Sequence, residues 1–138
     1  MRQIGSMIQA RGFQPSRYHL VVVDDEKMIL SVLRLALRSQ GYGLSFFEKP
    51  AEALRFIEKE SADLILTDYH MPEMNGLELI RESRALGWDS PALVMSGLID
   101  TVPMDAFRAL GVDQFLEKPF SKIQLDRLLQ ETLLQKVG

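Results

Sequence analysis

The feature that most constrains this chain is a regular alternation of short apolar runs and longer amphipathic stretches, which repeats five times from Tyr18 onward. Most of the apolar runs lack the apolar–polar alternation of a sheet with one solvent-exposed face. Runs of this kind are typical of parallel strands that helices cover on both sides, so the sequence predicts an α/β fold. We predict the strands at His19–Val23, Leu44–Phe47, Leu64–Thr67, Ala92–Met95 and Gln114–Leu116.

The segments between the predicted strands carry signals for the starts and ends of helices. Pro50 suits the first turn of a helix, and Asn75 and Thr101 are residue types that cap helix N-termini, with Pro103 expected in the first turn after Thr101. Ser121 and Gln124 have the spacing of a capping box. Glycines that can end the helices follow the apolar stretches at Gly41, Gly87 and Gly111.

Length and charge limit the possible functions. A chain of 138 residues suits one domain, and a formal net charge of -3 argues against a general nucleic-acid binder. The lack of cysteine excludes disulfides and thiolate metal sites and fits a cytoplasmic location, and no apolar run approaches the ~20 residues of a membrane span. Residues 1–17 contain three arginines and no acid, so we predict a flexible N-terminal extension before a domain at 18–138.

Residues with polar or charged side chains follow four of the predicted strands. Asp24 and Asp25 follow the first strand, Asp68 the third, Ser96 the fourth and Lys118 the fifth. Because sites in open α/β sheets form outside the carboxyl ends of the strands, we expect these side chains to converge. Crowded carboxylates repel one another, and a divalent cation relieves that repulsion. Oxygen ligands without a His/Cys cluster favour Mg²⁺ or Mn²⁺ over Zn²⁺.

Such a cluster suggests phosphoryl chemistry. One carboxylate can act as a nucleophile and form an acyl phosphate, while the metal, Lys118 and Ser96 share the charge of the transferring group. Each residue alone has a plainer interpretation, since Asp24 and Asp25 before a helix are commonly a cap and a dipole partner. Their joint placement after four strands is what favours a site.

Four segments resemble the four motifs of response regulator receiver domains. Val22–Glu26 contains an acidic pair similar to theirs, and Leu66–Gly76 resembles their phosphorylation segment. Val94–Gly97 is similar to the segment with the Thr or Ser hydroxyl, and Phe115–Phe120 to the lysine segment. The resemblance covers about Tyr18–Lys136, nearly the whole chain. It implies a (βα)5 flavodoxin-like fold, a doubly wound five-stranded parallel sheet with strand order 2-1-3-4-5.

The resemblance also implies roles for individual residues. Asp68 would accept a phosphoryl group from a histidine kinase or phosphotransfer protein, in a Mg²⁺-dependent reaction of two-component signalling. Asp25 would bind the metal directly, Asp24 mostly through water, and the backbone carbonyl of His70 would complete the protein ligands. Lys118 would contact the phosphoryl group, beside a cis bond to the proline that follows it.

Ser96 and Phe115 would form the switch. Ser96 would turn toward the phosphoryl group, and Phe115 stands where Tyr is more frequent, so it reports the change by packing alone. We place both at the ends of adjacent strands. The responding surface would be helix 4, strand 5 and helix 5, which would bind a downstream protein partner or a second copy. His70 is an unusual residue at its position, and we expect a solvated loop side chain.

Other classes of protein remain open from the residues. An aspartyl-phosphate phosphatase resembles this chain but carries Asp-x-Asp after its first strand, where Glu26 stands here. A flavodoxin-like cofactor binder needs a first loop without acids, and a pseudo-receiver that never takes phosphate would not need the complete acidic set. We expect self-phosphotransfer and autodephosphorylation, and no other enzyme activity. The length leaves no room for a DNA-binding output domain, so the chain is either a stand-alone receiver or a piece of a longer regulator.

Overall fold

The computed structural model describes residues 12–135, and in that range the chain forms one five-stranded sheet. All neighbouring strands are parallel, in the order β2-β1-β3-β4-β5, which confirms the predicted order. Each predicted strand boundary lies within one residue of the observed one. The strands are β1 His19–Val23, β2 Gly43–Phe47, β3 Leu64–Asp68, β4 Ala92–Ser96 and β5 Phe115–Glu117.

A helix follows each strand, and most of the predicted helix ends are confirmed. Asn75 and Glu78 form a capping box, Pro50 opens the second helix, and Ser121 and Gln124 exchange the two hydrogen bonds of a second capping box. The three glycines predicted to end helices all have positive φ. The helices are α1 Lys27–Arg38, α2 Pro50–Lys59, α3 Gly76–Ala85, α4 Met104–Arg108 and α5 Lys122–Gln135.

The fourth helix starts later than the sequence predicts. Thr101 does not cap it: Thr101 ends a short 3-10 turn at Ile99–Thr101, and Pro103 takes the N-cap position instead of lying in the first turn. The Thr101 hydroxyl donates to the Leu98 carbonyl at 2.6 Å, so it is used within the preceding turn. Local side-chain bonds of this kind compete with capping, and α4 is a helix of only five residues.

The sheet separates two apolar cores. Leu20 and Val22 of β1 point to one side, where α1 and α5 pack, while Val21 and Val23 point to the other, where α2, α3 and α4 pack. The alternation follows from the two-residue period of a strand. Because both sides are covered, β3 and β4 are buried along their whole length, as the unbroken apolar runs predict. Among residues 12–135, no helix combines the length and the apolar character that a membrane span needs.

The predicted N-terminal extension lies partly outside the described residues. Within the described part, Phe13 stacks on Tyr18 with ring centroids 5.4 Å apart, and both rings pack against the α1–α5 core. Pro15–Arg17 forms a short 3-10 turn before β1. The division of the chain at residues 17 and 18 stays a prediction.

Candidate functional site

Three carboxylates meet at the carboxyl edge of the sheet. Val23 of β1 pairs with Thr67 of β3, so the next residues, Asp24 and Asp68, lie side by side. Asp24, Asp25 and Asp68 can each offer an oxygen such that all three oxygens lie within 4.8 Å of one another. Asp24 and Asp68 are buried, with 0% and 5% exposure, whereas Asp25 is open to solvent.

Burial and crowding make the two inner carboxylates easier to protonate. Burial is the larger cause that raises the pKa of Asp68 to about 6, and the negative charge of Asp24 adds to it. Burial likewise raises the pKa of Asp24, although hydrogen bonds from Lys118 and from the Glu26 backbone N–H oppose the rise. The site therefore holds negative charge at a free-energy cost that a bound cation would remove.

Lys118 joins the two inner carboxylates. Its Nζ lies 2.9 Å from Asp24 Oδ2 and 3.2 Å from Asp68 Oδ1, and 3.7 Å from Glu26 Oε1 at the rim. Its backbone N–H donates to the Ser96 carbonyl, which fixes the strand end beside the acids. Burial alone lowers the pKa of Lys118, but the contacts with Asp24 and Asp68 together outweigh it, so the pKa is raised and the ammonium stays charged. The predicted cis bond between Lys118 and Pro119 is confirmed.

The residues present suit a hard divalent cation. The possible metal ligands are the carboxylate oxygens of two buried residues and one exposed residue. Carboxylate oxygens are the type of ligand that Mg²⁺ prefers. The loop after β3 folds back tightly, since a Cβ at Gly76 would lie 2.7 Å from the Asp68 carbonyl oxygen. His70, whose backbone carbonyl we predicted as a further metal ligand, lies in the loop that directly follows β3.

Ser96 lies at the same edge of the sheet, but Phe115 does not. Asp68 pairs with Met95, so Ser96 is one residue nearer the edge; its buried Oγ accepts a hydrogen bond from the Leu98 N–H at 2.9 Å. We predicted that Phe115 ends its strand, and this is wrong: Phe115 begins β5 and pairs with Val94. Its half-buried ring meets Phe107 of α4 edge-on at 5.7 Å.

The side chain of His70 is exposed, as expected, yet it has partners. Its Nε2 lies 2.8 Å from Thr101 Oγ1, and its ring meets Tyr69 edge-on at 4.7 Å. Sequence reasoning missed the contact with Thr101, because two polar residues 31 positions apart leave no periodic or motif signal. The contact joins the loop after β3 to the segment that precedes α4.

Comparisons of the sequence with known proteins give one consistent family. A family model described as response regulator receiver domain matches residues 20–130. The Transcriptional regulatory protein GlrR of Escherichia coli (strain K12) is 33% identical over 117 residues, which are 85% of this chain and 26% of that protein. The Response regulator MprA of Mycolicibacterium vanbaalenii is 33% identical over 106 residues, 77% of this chain and 46% of that protein. The chain thus spans less than half of the length of these two curated relatives.

Solved structures have the same fold. A response regulator receiver domain protein (CheY-like) from Methanospirillum hungatei superposes with a TM-score of 0.77 over 87% of this chain and 96% of its own, at 24% identity, which supports the fold alone. The Vibrio cholerae chemotaxis protein CheY4 gives a TM-score of 0.77 at 28% identity, covering 83% of this chain and 98% of its own.

The fold and the site together define a doubly wound α/β domain with an acidic, lysine-bridged site at the carboxyl edge of its sheet. The chain belongs to the response regulator receiver domain family. It is a signalling domain of two-component systems. Receiver domains of response regulators interact with histidine kinases and generally bind Mg²⁺. Nothing in the comparisons favours a phosphatase or a pseudo-receiver.

Proposed function

We propose that this domain accepts a phosphoryl group on Asp68, from a phosphorylated histidine of a kinase or phosphotransfer protein. The observation that carries the proposal is the setting of Asp68. It is a buried carboxylate at the end of a central strand, in ion-pair contact with Lys118 at 3.2 Å and close to two further carboxylates. This combination supports both cation binding and stabilisation of a transferred phosphoryl group.

Asp25, Asp24 and Asp68, with the backbone carbonyl of His70, would hold the metal, which we propose is Mg²⁺ with Mn²⁺ as a substitute. Asp25 is the exposed acid and would bind directly, whereas Asp24, already bonded to Lys118, would bind mostly through water. When bound, the cation offsets the negative charge of the acids and of the phosphoryl oxygens.

The chemical step is a displacement at phosphorus. A carboxylate oxygen of Asp68 bonds to phosphorus while the bond from phosphorus to the donor imidazole nitrogen breaks, and its electron pair returns to the imidazole. Lys118 follows the new negative charge, since its Nζ is already within 3.2 Å of Asp68. The Ser96 hydroxyl keeps its own hydrogen for a phosphoryl oxygen, because its present contact with Leu98 uses only an oxygen lone pair. Attack of water on phosphorus later breaks the bond between phosphorus and the Asp68 oxygen, which releases inorganic phosphate and restores the carboxylate.

The response reaches α4 and β5 through packed rings. A phosphoryl group adds roughly -1.5 to -2 charge at the site, and movement of Ser96 toward it opens space behind β4. We propose that Phe115 fills that space. Its ring centroid lies 5.7 Å from that of Phe107, and the Phe107 ring centroid lies 6.0 Å from that of Tyr69 in the loop after β3, so the rings connect the site to α4. We therefore propose the α4–β5–α5 face as the surface for a downstream protein partner or a second copy. A groove of about 550 Å³ between β5 and α5, lined by Phe115, Arg127 and Leu128 among others, supports it.

The phosphodonor has a suitable docking surface on α1. Met28, Val32 and Leu35 are 78%, 52% and 75% exposed and follow the i, i+4, i+7 spacing of one helix side, so Met28 is not the packing residue that a methionine usually is. Exposed apolar patches of this kind mark protein interfaces. Since α1 begins just after Asp25, a donor helix on this stripe would bring its histidine to the acids. We propose no direct contact of this domain with nucleic acid or membrane, and the cytoplasmic location stays a prediction.

Labelling with a small phosphodonor tests the proposed function. The wild-type protein, incubated with acetyl phosphate and Mg²⁺, should gain the mass of one phosphoryl group, whereas Asp68→Asn should gain none. Asp113→Asn, an exposed acid at the opposite edge of the sheet, is the matched control and should label like the wild type. Equal labelling of Asp68→Asn and wild type would refute the proposal, and steady turnover of phosphate esters would favour a phosphatase.

A further inference from the structure

A continuous chain of hydrogen bonds runs from Ser96 back to the loop that follows Asp68. The Leu98 N–H donates to Ser96 Oγ at 2.9 Å, and the Thr101 hydroxyl donates to the Leu98 carbonyl at 2.6 Å. His70 Nε2 lies 2.8 Å from Thr101 Oγ1. Because the single hydrogen of the Thr101 hydroxyl is used on Leu98, Thr101 accepts from His70, and His70 Nε2 carries a hydrogen.

Both ends of this chain of hydrogen bonds lie near Asp68, one along the sequence and one across the sheet. His70 is two residues after Asp68, and Ser96 is one residue beyond Met95, the register partner of Asp68. The backbone of Leu98 links the two halves of the chain of hydrogen bonds, since the Leu98 N–H donates to Ser96 and the Leu98 carbonyl accepts from Thr101. If Ser96 moves toward a phosphoryl group on Asp68 and keeps its bond with Leu98, Leu98 moves with it, and this movement strains the bond between Thr101 and His70.

We propose that His70 and Thr101 are positioning residues for Ser96, and that their hydrogen bond holds residues 97–101 in the resting arrangement. The inference rests on the proposed function, in which Ser96 moves toward the phosphoryl group. In this role, neither side chain donates to the phosphoryl group. Both act through Leu98, and their bond opposes the phosphorylated arrangement. Loss of a single neutral hydrogen bond shifts such an equilibrium by about two- to tenfold.

Affinity for beryllofluoride, a mimic of the phosphoryl group, measures this effect. The apparent dissociation constant in the presence of Mg²⁺ is followed by the fluorine resonance of the bound ligand. Thr101→Val removes the hydroxyl at nearly constant volume, and His70→Ala removes the imidazole but keeps the backbone carbonyl. Each should bind beryllofluoride about two- to tenfold more tightly than the wild type.

The double variant and a conservative variant separate positioning from a general loss of packing. If His70 acts only through its bond with Thr101, adding His70→Ala to Thr101→Val should give no tighter binding than Thr101→Val alone. Thr101→Ser keeps the hydroxyl and should restore wild-type affinity. Equal or weaker binding by the single variants, or effects that add in the double variant, would overturn the proposal. Amide exchange in β1 and β3 checks that each variant is folded.

The same experiment distinguishes a failure of the positioning role of His70 and Thr101 from a failure of the proposed phosphorylation of Asp68. A wild-type protein that binds beryllofluoride while all variants bind it equally well would remove the positioning role and leave the proposed function intact. A wild-type protein that binds no beryllofluoride would overturn both, because an Asp68 site that cannot hold the mimic has no Ser96 movement to oppose.

Discussion

The three carboxylates of the site differ in exposure, and this difference supports the different roles that we propose for them. Asp24 and Asp68 are buried and joined by Lys118, whereas Asp25 faces solvent. A hydrated cation can reach Asp25 without breaking an existing contact of the lysine. Asp25 is therefore the acid best placed to bind a cation directly, and we propose that Asp68, the buried acid at the end of the central strand β3, is the one that is modified.

Removal of Asp25 should weaken metal binding without unfolding the domain. We expect Asp25→Ala to bind Mg²⁺ at least about tenfold more weakly by calorimetry, because even the outer partners of metal ligands are worth about 10–100-fold. Asp113→Ala, also an exposed acid, should bind like the wild type. Unchanged affinity in Asp25→Ala would show that the metal is held by other groups.

The site residues were predictable from the sequence for a simple reason. Asp24, Asp68, Ser96 and Lys118 each follow an apolar run, and the carboxyl ends of parallel strands share one edge. The bond from His70 to Thr101 was not predictable, because exposed polar side chains carry no pattern that links two loops. The sequence thus indicated which residues meet but not how the loops around them are tied together.

At the scale of whole elements, strands were easier to predict than α4. Unbroken apolar runs mark strands covered on both sides, so their limits are visible in the sequence. The start of α4 depends on the hydrogen bond that the Thr101 hydroxyl makes, because it can either cap a helix or donate to the carbonyl of Leu98. The Thr101 hydroxyl bonds to Leu98, and α4 begins only at Met104. The helix is five residues long, and its buried Phe107 packs in the core against the sheet. A short helix held in this way is suited to repacking.

Phe115 should couple phosphorylation to α4. We expect Phe115→Ala to accept the phosphoryl group nearly as the wild type does, since its side chain lies away from the acids, against Phe107. Amide exchange across residues 101–120 should change with beryllofluoride in the wild type and change much less in Phe115→Ala. An equal response in both proteins would reduce Phe115 to core packing.

At the scale of the whole molecule, the sheet buries the carboxylate of Asp68, and the free energy of unfolding should therefore depend on pH. Burial raises the pKa of Asp68 from 3.8 to about 6, so between these pH values the folded state binds more protons than the unfolded state. The free energy of unfolding therefore falls as pH rises through this window, by about 1–3 kcal/mol from this group. The contribution is fully present below the unfolded pKa and is lost above the folded one.

The variant Asp68→Asn isolates this effect from the other carboxylates. We expect its stability relative to the wild type, measured by urea unfolding without divalent cations, to increase from pH 4 to pH 7 by about 1–3 kcal/mol. Saturating Mg²⁺ should stabilise the wild type more than the variant and narrow the difference. A difference that is independent of pH would contradict the buried, crowded setting of Asp68.

We propose that Asp68 is the phosphoryl acceptor, and mapping the modified residue tests this directly. The protein is phosphorylated with acetyl phosphate, reduced with borohydride so that an aspartyl phosphate becomes homoserine, and digested for peptide mass spectrometry. We predict homoserine at position 68 and unmodified Asp24 and Asp25, with the signal lost when Mg²⁺ is removed. Homoserine at another acid would show that Asp68 is not the acceptor, and the same signal at position 68 without any divalent cation would show that the reaction does not depend on Mg²⁺.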